Sequence, residues 1–376
     1  MTKKTEYVLL PMQYKFLYDI PEDKLNKQRI YNDISLYQGG MTCVPGDTEY
    51  LSPTGWKTID TLEKTDLLGV YHSNGTITFE NPKEVFKWPA DTWYNFNTRY
   101  THQCLCPNHR IIYFSDKDRE MLNPKVISCK EFVDKGCNQH YKIRNYFKSN
   151  SKYQAPYNDI ELRLIVAYQA DGYDYQATHK NKNSKRFIGF HLKKQEKAKR
   201  LISLLKLSGY NFTAKVRENG IKKGYVDIFI DFDIRNYKHF PDEWYSLNNH
   251  QLSIIFDEVK HWDCSHKNAG STEGSWTYSS NNKKDRDFIQ FVCASQGYCT
   301  TAYERSRDIT ITQQGKEYNY KNKIEYTVSW TKGKPISLGK SSMQEAKGGD
   351  AKYCPSTSTG MWLARYKNYI FVTGNS

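Results

Sequence analysis

No apolar run in the 376-residue sequence approaches the roughly 20 residues that a helix needs to cross a bilayer, and the mean hydropathy is −0.80. No apolar signal core follows Met1, Thr2, Lys3 and Lys4, and nine cysteines are an odd number, so a secreted disulfide framework is not expected. The chain reads as a cytosolic protein with reduced thiols, which leaves cysteine nucleophiles open. Acidic residues are in deficit, 41 against 55 Lys and Arg, and the resulting +14 favours a polyanionic partner, most simply nucleic acid. The length exceeds what one compact core needs, so two or three domains are expected.

A second absence concerns Gly39 and Gly40. The run Asp33 to Tyr37 is strand-like and enters this glycine pair as a phosphate loop begins, but Gly39, Gly40, Met41 and Thr42 lead into Cys43 and Val44, and no Gly-Lys arrives. As it stands the chain should not hydrolyse ATP. If the segment from Cys43 to Asn375 is removed, Gly39 to Thr42 joined to Ser376 fits the first five positions of a phosphate loop. Residues 1–42 resemble the start of phage large terminase subunits, or more broadly a phosphate-loop ATPase. An ordinary strand and turn is the bland alternative.

From Cys43 the sequence turns to short runs bounded by turn residues: Glu49 to Ser52, Pro53-Thr54-Gly55, Trp56 to Leu62, Leu67 to Tyr71, Asn74-Gly75, Thr76 to Phe79. This pattern indicates an all-β unit. Cys104, Leu105, Cys106, Pro107, Asn108, His109 and Arg110 precede the apolar strand Ile111 to Phe114. Strands return near the end, at Tyr353, at Met361 to Ala364 and at Tyr369 to Val372, before Thr373, Gly374, Asn375 and Ser376.

Cys43-Val44-Pro45-Gly46-Asp47-Thr48 resembles the first intein motif, and Cys106-Pro107-Asn108-His109 resembles the second, usually T-x-x-H. Tyr353-Cys354 through Ala364 and Phe371 to Ser376 resemble the last two, in the expected order. The resemblance implies a mechanism. Cys43 attacks the carbonyl of Thr42 to give a thioester. His109 protonates the departing nitrogen. Ser376 Oγ takes the acyl group, and Asn375 cyclises through its side-chain amide, releasing the insert and joining Thr42 to Ser376.

This sequence departs from the pattern at two places. Cys106 stands where Thr is usual and offers a weaker donor. Gly374 stands where a penultimate His often assists cyclisation, and no His lies between Tyr353 and Asn375, so polarising the scissile carbonyl falls to backbone N–H groups, Arg365 or a further group. Cys354 also stands out, because in a minority of inteins a Cys there is the first nucleophile, although those inserts do not begin with Cys. Cys129, Cys137, Cys264, Cys293 and Cys299 read as inert core. Cys104, Cys106 and His109 lack a second half at zinc-ligand spacing.

Between the two β portions, Asp159 to Asp171 has a helical apolar pattern that stops at Gly172, a helix-capping residue. Leu164 to Gly172 resembles the LAGLIDADG motif of homing endonucleases, and Ile289 to Tyr298 reads as its repeat, with Gln296 lying 125 residues after Asp171. In that family two helix ends bring ligands to a shared Mg²⁺, which implies Asp171 and Gln296 as metal ligands. Gln296 offers a neutral oxygen, so cleavage is expected to be impaired, strand-biased or absent. Between Lys180 and Lys223 only Glu196 and Glu218 oppose fourteen basic residues, a density suited to DNA phosphates. Buried core helices and a solvated basic face are the bland alternatives.

The expected fold class is mixed: a discontinuous all-β splicing horseshoe of the Hint type with an inserted α+β LAGLIDADG domain of pseudo-two-fold symmetry. The boundaries are a host fragment 1–42, splicing halves 43–150 and 336–375, an endonuclease 151–335, and residue 376 as the first of the downstream host segment. Autocatalytic splicing by Cys43, Cys106, His109, Asn375 and Ser376 needs no cofactor, and Asp171 serves DNA cleavage with Mg²⁺. Expected partners are double-stranded DNA at the uninserted host gene and the flanking host segments in cis, with no membrane. The chain is expected to be a monomer in the cytoplasm of a phage-infected or prophage-bearing bacterium. Rival readings are a basic DNA-binding module without chemistry and a fragment of a DNA-packaging ATPase.

Overall fold

A computed structural model describes residues 42–90, 92–118, 120–136, 140–176, 186–220, 222–231, 237–267, 275–313, 316–333, 336–338, 343–349 and 351–375. The host-fragment reading of residues 1–41 and the acceptor Ser376 lie outside them. The fold is mostly β-sheet with few helices, a mixed class.

Strands near the two ends of the described chain share sheets. In the largest, Met361–Tyr366 lies between Leu68–Tyr71 and Glu49–Ser52 and also pairs with Tyr369–Gly374. Val44–Pro45 pairs with Lys352–Ser356, which pairs in turn with Glu84–Trp88. Every residue of Met361–Tyr366 is buried, as its apolar side chains favour in a central strand, and its one charge, Arg365, is paired with Glu49 and Asp287. The turn-bounded runs of the first hundred residues form the strands their composition indicates, among them Glu49–Ser52, Leu68–Tyr71 and Thr76–Glu80.

The short helix α1 (Cys129–Asp134) belongs to this β portion. The remaining helices are α2 (Asp159–Asp171), α3 (Gln195–Ser208), α4 (Asn249–Val259) and α5 (Lys283–Ser295). They alternate with two four-stranded sheets. One runs Gly172–Gln176, Arg186–Leu192, Val226–Ile230, Phe212–Val216; the other runs Cys264–Lys267, Ser275–Ser280, Lys316–Lys332, Tyr298–Gln313. Both follow the same order relative to the chain, so the segment is a duplicated unit of helix, strand pair, helix, strand pair. By this topology α4 corresponds to α2, and α5 corresponds to α3.

Helix α2 starts at a full capping box, with Asn158 Oδ1 accepting from the Ile160 and Glu161 N–H groups and Glu161 Oε2 accepting from the Asn158 N–H. Its central residues Leu164 to Tyr168 are all buried, which fits a helix enclosed on every side. At its end Lys238 Nζ donates to the carbonyls of Tyr168, Gln169 and Gly172 at 3.1, 3.0 and 2.7 Å. Gly172 is not the left-handed cap the sequence indicates, since its φ is −78° and ψ is 159°. Glycine is required there by close approach: a Cβ would stand 2.3 Å from Tyr168 Cδ2 and 2.9 Å from the Tyr168 carbonyl oxygen. Gly172→Ala should therefore destabilise the fold by about 2 kcal/mol, as overpacking does. A urea midpoint equal to that of the parent would contradict this account.

Candidate active sites

Cys43 enters its sheet from one end of the described chain and Asn375 leaves it at the other, yet both backbones reach the turn Cys106 to Arg110. That turn is fixed by its own backbone: the His109 N–H donates to the Cys106 carbonyl at 2.9 Å, and the N–H groups of Cys129 and Lys130 donate to the carbonyls of His109 and Pro107, each at 2.7 Å. Cys43 and Cys106 bond reciprocally. The Cys43 N–H donates to Cys106 Sγ at 3.2 Å, and the Cys106 N–H donates to the Cys43 carbonyl at 3.2 Å.

His109 is fully buried, and burial pushes its pKa down to about 3, so the ring is neutral. Nδ1 lies 3.1 Å from the Cys43 carbonyl, which can only accept, so Nδ1 carries the proton. Nε2 is left to accept from the Thr373 hydroxyl. The ring thus contacts the Cys43 carbonyl and Thr373, while Cys106 holds the amide nitrogen of the Thr42–Cys43 bond.

The thiols divide unequally. Hydrogen bonding with Cys106 and then Cys354, together with burial, pushes the Cys43 thiol far up. The hydrogen bond from Cys43 pulls Cys106 down against its burial. Cys43 is therefore the protonated partner and Cys106 the more acidic one. Cys354 Sγ lies 3.4 Å from Thr42 Oγ1, and Trp93 closes the apolar cluster around the three thiols.

Asn375 is also fully buried. Its N–H donates to the Gly360 carbonyl at 2.9 Å, and Nδ2 donates to Thr357 Oγ1 at 2.8 Å. Its Oδ1 has no partner among the described residues. Its backbone carbonyl accepts from Arg110 Nη1 at 3.0 Å. Arg365 is not at this carbonyl: its guanidinium is bound by both oxygens of Glu49 at 2.6 Å and by Asp287 and Gln290. Arg110 was not among the sequence candidates. Its only sequence signal was its place directly after His109.

A separate polar site lies where α2 ends. Lys197 Nζ bonds Asp171 Oδ2 at 2.5 Å and approaches Asp263 Oδ1 at 3.7 Å. Burial and then the Asp171 charge push Asp263 upward, with Lys197 opposing. Asp263 follows α4 as Asp171 closes α2, and each directly precedes the first strand of its unit. The residue at the place of Asp171 in the second unit is thus Asp263, 92 positions on, and Gln296 lies at the end of α5 instead. Gln296 Nε2 bonds Asn249 at the start of α4, about 16 Å of helix from the end that leads to Asp263. The opposite end of α5 is the one near Asp171, where Asp285 accepts from Gln169 at 3.3 Å. The missed signal was Trp262-Asp263 after an apolar helix, obscured because Cys264 stands where the first unit has Gly172.

No protein-family model and no curated protein matches the sequence. Among solved structures the chain is similar to a splice-inactive variant of the AceL NrdHF class 3 split intein, at TM-score 0.33 and 9% identity over 89% of this chain and 98% of that one. It is similar to the N-terminal LAGLIDADG domain of DUF199/WhiA at TM-score 0.29 and 12% identity, covering 46% of this chain and 78% of that one. It is also similar to I-DmoI in complex with DNA and Mn at TM-score 0.29 and 11% identity, covering 46% and 89%. Likenesses this weak leave function to the geometry of the sites.

The buried neutral His109 ties stability to pH. The unfolded chain takes up a proton near the usual histidine value of about 6.5, and the folded chain does so only near 3. The contribution is complete above the first value and is lost as pH falls toward the second, at about 1.4 kcal/mol per pH unit. In an unprocessed Cys43→Ala, Asn375→Ala precursor, His109→Gln should flatten the decline of the urea midpoint between pH 6.5 and 4.5. Parallel declines with and without His109 would contradict the assignment.

Proposed function

We propose that the chain is an autocatalytic protein-splicing element that excises residues 43–375 and joins Thr42 to Ser376. One observation carries this reading: the consecutive residues His109 and Arg110 bind the backbone carbonyls of Cys43 and Asn375, 332 positions apart, so one turn holds the two residues whose outer peptide bonds must break.

In the first step Cys106, as the thiolate, takes the proton of Cys43 Sγ, which attacks the Thr42 carbonyl carbon. The bond from that carbon to Cys43 N breaks, and Cys106 returns the proton to this nitrogen, which already hydrogen-bonds its sulfur at 3.2 Å. Hydrogen bonds from His109 Nδ1–H and the Cys106 N–H to the Cys43 carbonyl keep the residue from turning away as its amine is freed. Ser376 Oγ then takes the acyl group from Cys43 Sγ. Asn375 Nδ2 closes on its own carbonyl carbon and releases the Ser376 amine. The freed amine of Ser376 attacks the ester and restores a peptide bond.

The duplicated α+β segment supports a second activity, DNA phosphodiester cleavage. Asp171 and Asp263 converge on Lys197 with oxygens of the kind Mg²⁺ binds through one or two carboxylates and substrate phosphate. Bound there, Mg²⁺ would activate a water and stabilise the leaving oxygen. Lys197 offsets the repulsion between the carboxylates, and the basic run around it favours DNA phosphates. With Asp263 present, the neutral Gln296 no longer gives a reason to expect impaired cleavage.

Two measurements test these activities. In a precursor extended beyond Ser376, Cys43→Ala should stop thiol-induced release of the upstream segment. Cys106→Ala should slow that release by about 10²–10⁴-fold, and Cys106→Thr should restore part of it. Unchanged release in Cys43→Ala would refute the splicing reading. With Mg²⁺ and DNA carrying the joined Thr42 and Ser376 codons, Asp171→Asn and Asp263→Asn should each abolish cleavage while Gln296→Ala retains it. Absence of cleavage by the parent protein would refute the nuclease reading.

A further inference from the structure

Cyclisation of an asparagine gathers negative charge on its backbone carbonyl oxygen as Nδ2 adds to the carbonyl carbon, and a donor aimed at that oxygen lowers the barrier. No histidine lies between Tyr353 and Asn375 to supply one. Arg110 Nη1 donates to this oxygen at 3.0 Å. The guanidinium projects from the first residue of strand Arg110–Ser115, which is paired with Lys125–Ser128, so the donor rests on a rigid element.

The same packing accounts for Gly374. A Cβ there would stand 2.7 Å from both Arg110 Cβ and the Arg110 carbonyl oxygen, and 3.1 Å from Ile112 Cδ1. Two of these contacts are with atoms held by the strand backbone, so a side chain at 374 would push the last strand off Arg110. Glycine at 374 and the guanidinium contact at 375 are therefore linked. The reacting amide is held more loosely: Nδ2 donates to the Thr357 hydroxyl, which itself donates to the Met361 carbonyl at 3.1 Å, and Oδ1 has no partner among the described residues.

We propose that Arg110 is a catalytic residue of the C-terminal step, stabilising the oxyanion formed at the Asn375 carbonyl, with Thr357 as the positioning residue for the attacking amide. The assignment rests on the splicing reading above. In the step, the bond from Nδ2 to the Asn375 carbonyl carbon forms and the bond from that carbon to Ser376 N breaks. The proton lost by Nδ2 ends on the Ser376 amine, and nothing is oxidised or reduced.

The test isolates C-terminal cleavage in a Cys43→Ala precursor carrying a partner protein beyond Ser376, with release followed by intact mass. Arg110→Gln is expected to slow release by about 10²–10³-fold and Arg110→Lys to recover part of it. Gly374→His is expected to slow release instead of accelerating it. In the Cys43-containing protein, Arg110→Gln should leave thiol-induced release of the upstream segment at the parental rate, which a collapse of the turn beside His109 would not allow. Parental C-terminal release in Arg110→Gln, with Asn375→Ala inactive, would overturn the role of Arg110 and leave the splicing reading intact. Loss of both steps together in Arg110→Gln would also overturn it, as the mark of a structural residue. Release unaffected by Asn375→Ala would instead remove the splicing reading and this assignment with it.

Discussion

The chemistry of the β portion depends on one constraint, that Cys43 and Asn375 both pass beside the turn Cys106 to Arg110, where His109 and Arg110 bond their carbonyls. His109 closes the turn and Arg110 opens the strand that follows, so the pair can reach two chain segments only if both pass close beside it. Strand Met361–Tyr366 enforces this by lying between strands from the first part of the chain, with Tyr369–Gly374 on its flank. Val44–Pro45 pairs with Lys352 and Tyr353 and does the same for the other end. The sheet cannot form without both portions, which makes the meeting of Cys43 and Asn375 a product of the whole fold.

Burial then sets the chemistry. Both terminal residues and His109 are out of water, so the histidine stays neutral and the thiols share protons with one another instead of with solvent. Cys106 hydrogen-bonds the amide nitrogen and pairs with the Cys43 thiol, so the proton of the first step has a short path from sulfur to nitrogen. A hydroxyl in place of Cys106 would be a better donor but ionises far less readily, so only the cysteine can take up that proton as a thiolate as well as return it.

Legibility in the sequence followed locality. The helix Asp159–Asp171 and the short strands after Cys43 were readable, because capping residues, periodicity and turns act over a few positions. Arg110 was not, because its contact with Asn375 spans 265 positions, and Arg365, the arginine the sequence indicates, is held by Glu49 and Asp287. Asp263 is not legible because the likeness to residues 164–172 falls on Ile289 to Tyr298. That stretch lies in and just after α5, whereas the order of strands in the two sheets makes α4 the counterpart of α2. Gly172 shows the same limit: the glycine was readable, but its reason, the nearby Tyr168 ring and carbonyl, was not.

The most direct test of the central claim is the intact mass of the segment released from a precursor fused to a partner protein beyond Ser376. The account predicts a species running from Cys43 to Asn375 that is one water lighter than the hydrolysed segment, because Asn375 ends as a cyclic imide, together with an upstream segment ligated to the partner through Thr42 and Ser376. A released segment with only an ordinary carboxyl terminus, or a precursor that remains whole, would contradict it.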